Sequence, residues 1–370
     1  MATRRTVRIG AILTGLVLVL VACAPAPGGG TAGASPAGES PAGESPAAPA
    51  EEVTLVDFGF TGDIQNLFRE HLADPFEEAH PGVTIELTGG ISEDAIAQIK
   101  AAQGASPYDT MLLGQPRYLQ AQNEGWIQEL SEADVPNIAE VYPNIQEKCS
   151  PGAAAWTVET IGVVYNPDLV PAPENWTDLW NPEYEGQIGM AAPASNAGFL
   201  FLVLINKLFG DDEANFETAF TKLSELAPFT VAPNPETLGQ LLEREEIGLA
   251  INWSTEAAVT MEGGFNVEFT FPAPGPMAQV GCYAVLAESA NADLAKEYVN
   301  EALGEDFQTA MSQPPYFFAP VNQNVQVSEE SAALIPAPED YDALVTAEDL
   351  EAVLAEREAV TDRFTREYGG

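Results

Sequence analysis

From residue 53 onward, short apolar runs alternate with stretches of helical spacing. Residues 53–58 read as a strand and 59–62 as a turn. The stretch 64–79 reads as a helix with Ile64, Leu67, Phe68, Leu72, Phe76 and Ala79 on one face. Pro81-Gly82 ends that helix. The pattern then predicts a strand over 83–87, a helix over 92–102 with Ile96 and Ile99 inward, a strand over 108–113 and a helix over 117–124. A second block predicts strands at 161–166, 187–191, 247–253, 268–271 and 283–286 and helices at 199–209 and 237–244, with a mostly helical tail from 293. Repeated β-α units imply mainly parallel sheets covered by helices, an α/β class in which ligands sit beyond the strand C-termini. Here those loops are 59–63, 89–92 and 114–116.

The first 52 residues break this pattern. Arg4, Arg5 and Arg8 precede about 14 mostly apolar residues, the signature of a secretory signal over 1–22 and too short for a membrane span of about 20 residues. The run ends Leu20-Val21-Ala22-Cys23, which resembles a bacterial lipobox and implies cleavage before an acylated Cys23. Residues 23–52, with Gly28-Gly29-Gly30 and a tandem Ser-Pro-Ala-Gly-Glu at 35–44, cannot bury enough apolar surface to order. As a flexible tether such a segment reaches on the order of 30 Å. The reading is an extracytoplasmic protein held to the cell membrane by lipid.

Composition narrows the function. Against 56 Asp plus Glu stand 14 Lys plus Arg, a formal net charge of -42. That balance excludes a nucleic-acid partner and attachment to anionic lipid through basic patches. His71 and His80 are the only histidines, leaving little material for His-based acid–base or metal chemistry. No Gly-x-Ser-x-Gly, His-Glu-x-x-His or Cys-x-x-Cys occurs. Binding is favoured over catalysis, with no cofactor and no metal expected. Outside the cytoplasm the two remaining cysteines, Cys149 and Cys282, are expected to pair.

Several pieces in succession resemble the bacterial extracellular solute-binding proteins of ABC importers, in the branch that includes the spermidine/putrescine-binding proteins. They are Leu72-Ala-Asp-Pro-Phe-Glu77, Pro107-Tyr-Asp109, Asn123-Glu-Gly-Trp-Ile127, Ile161-Gly-Val-Val-Tyr-Asn166, Trp176-Thr-Asp-Leu-Trp-Asn-Pro-Glu-Tyr-Glu-Gly186, Glu246-Ile-Gly-Leu-Ala250 and Ala319-Pro-Val-Asn322. The resemblance implies the type II periplasmic-binding-protein fold, two α/β lobes joined by two hinge crossings and closing on a ligand. The first lobe is expected over 53–154 plus 254–291 and the second over 158–252 plus 292–370. Both cysteines of the expected pair then fall in the first lobe. The implied partners are a small polar ligand, a membrane permease and its cytoplasmic ATPase, with the protein itself a monomer.

Carried onto this chain, the resemblance nominates Phe60 and Thr61 in the first βα loop, Gln115 in the third, and Trp156 and Glu159 at the first crossing. It adds Ser195 and Asn196 at a helix opening, Trp253 and Thr255 at the second crossing, Tyr283, and Tyr316. At two positions where polyamine binders carry acids this chain has Ala192 and Gly281, so the pocket is expected to hold one clear carboxylate, Glu159. A polyamine or other amine-type cation is the favoured ligand; thiamine, phosphonate, ferric iron or a sugar stay open. No Tyr-Tyr pair of the kind used for ferric iron is present. The rival of another class is a secreted lipoprotein hydrolase using paired carboxylates.

Overall fold

The computed structural model describes residues 52–369 apart from 91, 103–105, 337–340, 342–343 and 348. The expected signal segment, Cys23 and the tether up to 51 lie outside the described residues. Among the described residues ten strands form one continuous sheet: β1 Val53–Gly59, β2 Val83–Gly89, β3 Thr110–Gly114, β4 Ala154–Tyr165, β5 Ile188–Ala191, β6 Thr230–Ala232, β7 Leu249–Trp253, β8 Glu268–Thr270, β9 Met277–Val285 and β10 Ala319–Pro320. The order is β2-β1-β3-β9-β4-β7-β5-β6, with β8 and β10 also paired to β4. β1 pairs in parallel with β2 and β3, and β5 with β6 and β7, while β9 and β4 run antiparallel to their neighbours.

β4 organises the molecule. Its run of β-branched and aromatic residues is buried along its whole length except at half-buried Glu159. Its first part, Ala154 to Ile161, pairs with β9, and its last part, Ile161 to Tyr165, pairs with β7. One strand therefore belongs to two half-sheets: β2-β1-β3-β9-β4 on one side and β4-β7-β5-β6 on the other. Trp156 and Glu159 lie on the stretch that carries the chain between them. Gly162 is required in that stretch, because a Cβ there would lie 2.5 Å from the Phe269 ring of β8.

Helices cover both halves. The expected helix over 64–79 is present as Asp63–Phe68, a π-helical segment Arg69–Ala73, and Asp74–Ala79. In the second half, Ser195 caps the helix Asn196–Phe209, its Oγ accepting from the Gly198 N–H at 3.2 Å. A Cβ at Gly198 would lie 2.2 Å from the Ala191 carbonyl, so this glycine lets the helix start hard against the end of β5. Asn234 similarly caps the helix Pro235–Glu243, accepting from Thr237 N–H at 3.0 Å.

The segments of the two halves differ from the expected allocation. Helix Ser254–Glu262 packs on β7, β8 and the helix Pro235–Glu243, so it belongs with the second half and not the first. The return crossing falls between β8 and β9, after 270, rather than at Trp253. Helix Ala292–Ala302 packs on β9 and ties to the first half through Lys296–Asp134 at 2.9 Å and Asn137–Asn300 at 2.8 Å. The tail crosses once more. Asn123 donates to Glu351 at 2.8 Å on the first half, and farther along Arg363 pairs with Glu217 at 2.8 Å and lies 3.9 Å from the Phe220 ring on the second. Cys149 and Cys282 are bonded, with Cα atoms 5.6 Å apart, both within the first half. Among the described residues no helix is long and apolar enough to cross a membrane.

Candidate functional site

Strand ends from both half-sheets meet at β4, and a cavity of about 430 Å³ opens there. The first βα loop contributes Phe60 and Thr61, β4 contributes Glu159 and Thr160, and the end of β7 contributes Trp253. A second, smaller cavity of about 160 Å³ lies beside it, lined by Trp156, Asn196, Gln279 and Gly114 among others. Phe60, Gly90 and Glu159 line both.

The floor is aromatic. Trp156 is buried, with its ring 6.1 Å from Phe60, 5.5 Å from Phe68 and 5.4 Å from Phe318. Gln308 Nε2 donates to the Trp156 carbonyl at 2.8 Å, fixing the strand beneath it. Phe317 closes one wall with a backbone φ of 53°, a left-handed conformation that costs a bulky residue on the order of 1–3 kcal/mol and clusters at ligand sites. Trp253 remains half-buried, with part of its ring free to meet a ligand.

The expectation of a single carboxylate is corrected. Besides Glu159, the larger cavity is lined by Glu236, in the first turn of helix Pro235–Glu243, and by Glu256, in the first turn of helix Ser254–Glu262. Helix N-termini favour carboxylates electrostatically, and these two helices follow β6 and β7, so their first turns sit at the strand ends where α/β sheets bind ligands. That placement was the available signal, but the helix Ser254–Glu262 and strand β6 were not anticipated from the apolar pattern. Burial together with the nearby Glu236 carboxylate pushes Glu256 up to about 7. Burial also raises Glu159, opposed by a hydrogen bond from Gln279 Nε2 at 2.5 Å. Among the described residues, no lysine or arginine lines either cavity. Among the described residues, no group of three or more His, Cys, Asp or Glu side chains is placed to hold a metal ion.

Of the residues nominated from sequence, Phe60, Thr61, Glu159, Trp253 and Thr255 line the larger cavity, and Trp156 and Asn196 the smaller. Ser195 caps the Asn196 helix and acts by positioning it. Gln115, which opens the helix Gln115–Asn123, and Tyr316 line neither cavity. Tyr283 is a correction: β9 is buried along its length, and its ring packs between Phe68 and Tyr298, at 6.4 and 6.3 Å, inside the first half. It lies beside Asp57, which burial raises to about 6 and to which Thr110 Oγ1 donates at 2.7 Å.

Residues 71–350 match the family model described as bacterial extracellular solute-binding protein. A curated relative, the spermidine/putrescine-binding periplasmic protein of Escherichia coli (strain K12), is 26% identical over 195 residues, 50% of this chain and 55% of its own length. The chain thus spans about half the length of that relative. Among solved structures, an extracellular solute-binding protein from Bordetella parapertussis superposes with a TM-score of 0.75 at 21% identity, covering 85% of this chain and 98% of the other. A periplasmic binding protein from Actinobacillus pleuropneumoniae with fructose-6-phosphate bound gives 0.67 at 20%, covering 86% and 99%. The two-lobe fold is shared across these proteins.

Proposed function

The chain belongs to the bacterial extracellular solute-binding protein family, and from that premise we propose that it captures a small amine-type cation between its halves for an ABC importer. Membership makes it a binding protein and not an enzyme, so the paired-carboxylate hydrolase reading is set aside. The observation that carries the ligand class is the cavity wall, where Glu159, Glu236 and Glu256 face Trp253 with no basic side chain among them. Burial and the neighbouring Glu236 carboxylate hold Glu256 at about 7, and a cation placed beside it favours the ionised form. An aromatic face adds roughly 0.5–2 kcal/mol for a cation placed over it. Because no three acids among the described residues are grouped to hold a metal ion, the wall suits an amine better than a metal ion.

In this reading hinge closure about β4 buries the ligand, and the closed form docks on a permease driven by a cytoplasmic ATPase. Lipid on Cys23 and the tether that follows keep the protein near that permease; a single acyl chain holds only weakly, so two or more are required. The test is a thermal-shift screen of the mature protein against polyamines, quaternary amines, thiamine, sugars, phosphonates and ferric iron. An amine at 100 times its dissociation constant adds about 2.7 kcal/mol of stability. A shift with a sugar, phosphonate or iron, and none with any amine, would remove the proposal.

A further inference from the structure

The C-terminal tail ties the two halves together at the edge of the cleft. Its role depends on the closing motion proposed above and not on the class of ligand. Residues after 350 also lie beyond the stretch that the family model matches. Helix Arg357–Tyr368 is anchored firmly on the second half. Its Val360 and Phe364 are buried, the Tyr368 ring lies 5.3 Å from Phe229, and Arg363 both pairs with Glu217 at 2.8 Å and lies 3.9 Å from the Phe220 ring. At the start of this helix Arg357 grips the opening of helix Asn196–Phe209. Its Nη1 donates to Asn196 Oδ1 at 2.7 Å, its Nη2 donates to the Ala194 carbonyl at 3.1 Å, and its guanidinium lies 5.1 Å from the Phe199 ring.

The preceding helix, Leu350–Ala355, reaches the first half, and its hold there is light. Asp349 caps it, accepting from the Ala352 N–H at 3.0 Å. Glu351 accepts from Nδ2 of Asn123, the last residue of helix Gln115–Asn123, at 2.8 Å, and both side chains are exposed. A cavity of about 280 Å³, lined by Leu119 and Gln120 from one helix and Leu354 and Ala355 from the other, leaves the two helices loosely packed.

These contacts complete a ring across the seam between the halves. Gly114 ends β3 and leads straight into helix Gln115–Asn123, and a Cβ built on it would lie 3.7 Å from Asn196 Nδ2. The halves therefore meet directly at Gly114 and Asn196, and the tail joins the same two elements from outside, through Asn123–Glu351 and Arg357–Asn196. Drawing the halves apart loads this ring. Buried apolar side chains hold its second-half end, so the single exposed Asn123–Glu351 bond is the part that gives way.

We propose that residues 349–357 are a clasp on the closed arrangement, with its pivot at Arg357 and its catch at Asn123–Glu351. One hydrogen bond of ordinary net strength shifts an open–closed equilibrium about two- to tenfold. That is enough to slow release of a bound solute and small enough to leave opening reversible.

The test needs no ligand. Spin labels are placed on the unliganded mature protein at Glu86→Cys in β2 and Glu225→Cys in helix Glu217–Leu226, exposed positions on the first and second halves. Pulsed electron–electron double resonance then reads the ratio of short to long separations. Asn123→Asp, which sets two carboxylates face to face, and Glu351→Lys, which sets an ammonium against the Asn123 amide donor, are each expected to lower that ratio about two- to tenfold. Their melting temperatures should stay at the wild-type value, because both side chains are exposed. The two changes together set an ammonium against a carboxylate and are expected to restore the ratio, a coupling that independent surface effects would not produce. A ratio unchanged in either single variant, or a loss that the combination fails to restore, overturns the clasp. A screen in which no amine binds removes the ligand class and leaves this measurement as decisive as before.

Discussion

Glu256 offers the sharpest quantitative handle on the site. It sits in the first turn of helix Ser254–Glu262, half-buried, with the Glu236 carboxylate of the neighbouring helix close by and Glu159 lining the same chamber. Burial first, and the Glu236 carboxylate second, raise the cost of ionising Glu256, which is held at about 7. A bound ammonium favours the ionised form and pulls that value down. Binding is then linked to loss of a proton wherever the free protein carries one, and affinity falls as pH drops through 7. Between pH 8 and pH 6 the ionised fraction of Glu256 in the free protein falls from about nine-tenths to about one-tenth, a weakening of roughly tenfold. The fold responds with the opposite sign. A carboxyl raised above its unfolded value destabilises the ionised state, so this residue's penalty on the unliganded protein is relieved as pH falls from above 7 towards the ordinary carboxylate range. The assay is titration calorimetry with an amine ligand at half-unit steps from pH 5.5 to 8.5, on wild type and Glu256→Gln. The variant is expected to lose most of the pH dependence and, at pH 8, to bind about ten- to a hundredfold more weakly, as fits the loss of a charge-assisted hydrogen bond worth about 1.5–3 kcal/mol. A pH profile identical in the two proteins would refute the placement of Glu256 against the ligand.

Two further outcomes follow from other parts of the structure. Trp253→Ala is expected to weaken amine binding by roughly 0.5–2 kcal/mol, measured by the same titration, with the unliganded melting temperature near that of wild type because the ring is only half-buried. Replacing Cys149 and Cys282 by serine is expected to lower stability towards chemical denaturation by up to about 5 kcal/mol, the loop-entropy bound for a bridge closing 133 residues. Ligand affinity should persist in that variant, since neither cysteine lines either cavity.

The alternating β-α pattern made the half-sheets legible in sequence because each strand and helix was read from its own neighbours. Ser195 at a helix opening, and Trp156, Glu159 and Trp253 near the junction, were reached through the family resemblance instead. The allocation of later segments was not legible. An apolar stripe on helix Ala292–Ala302 states that one face is buried, but the choice of β9 over the second half-sheet is made by contacts more than a hundred residues distant, such as Lys296 with Asp134. Tyr283 failed for a related reason. β9 is buried throughout, so strand alternation could not say whether its ring met the cavity or the core. Glu236 and Glu256 were hidden in plain composition, two acids among 56, and only the strand order, which brings the ends of β6 and β7 to one place, distinguishes them from surface charge.

The central claim is that the carboxylates lining the cleft bind a cationic amine. It is tested most directly by titrating the best amine from the screen into wild type and into the combined Glu159→Gln, Glu236→Gln, Glu256→Gln protein at pH 8 and low salt. The account predicts saturable binding by wild type and loss of at least a hundredfold in the triple variant, with its melting temperature preserved or raised by relief of repulsion. Unchanged amine affinity in a folded triple variant would contradict it.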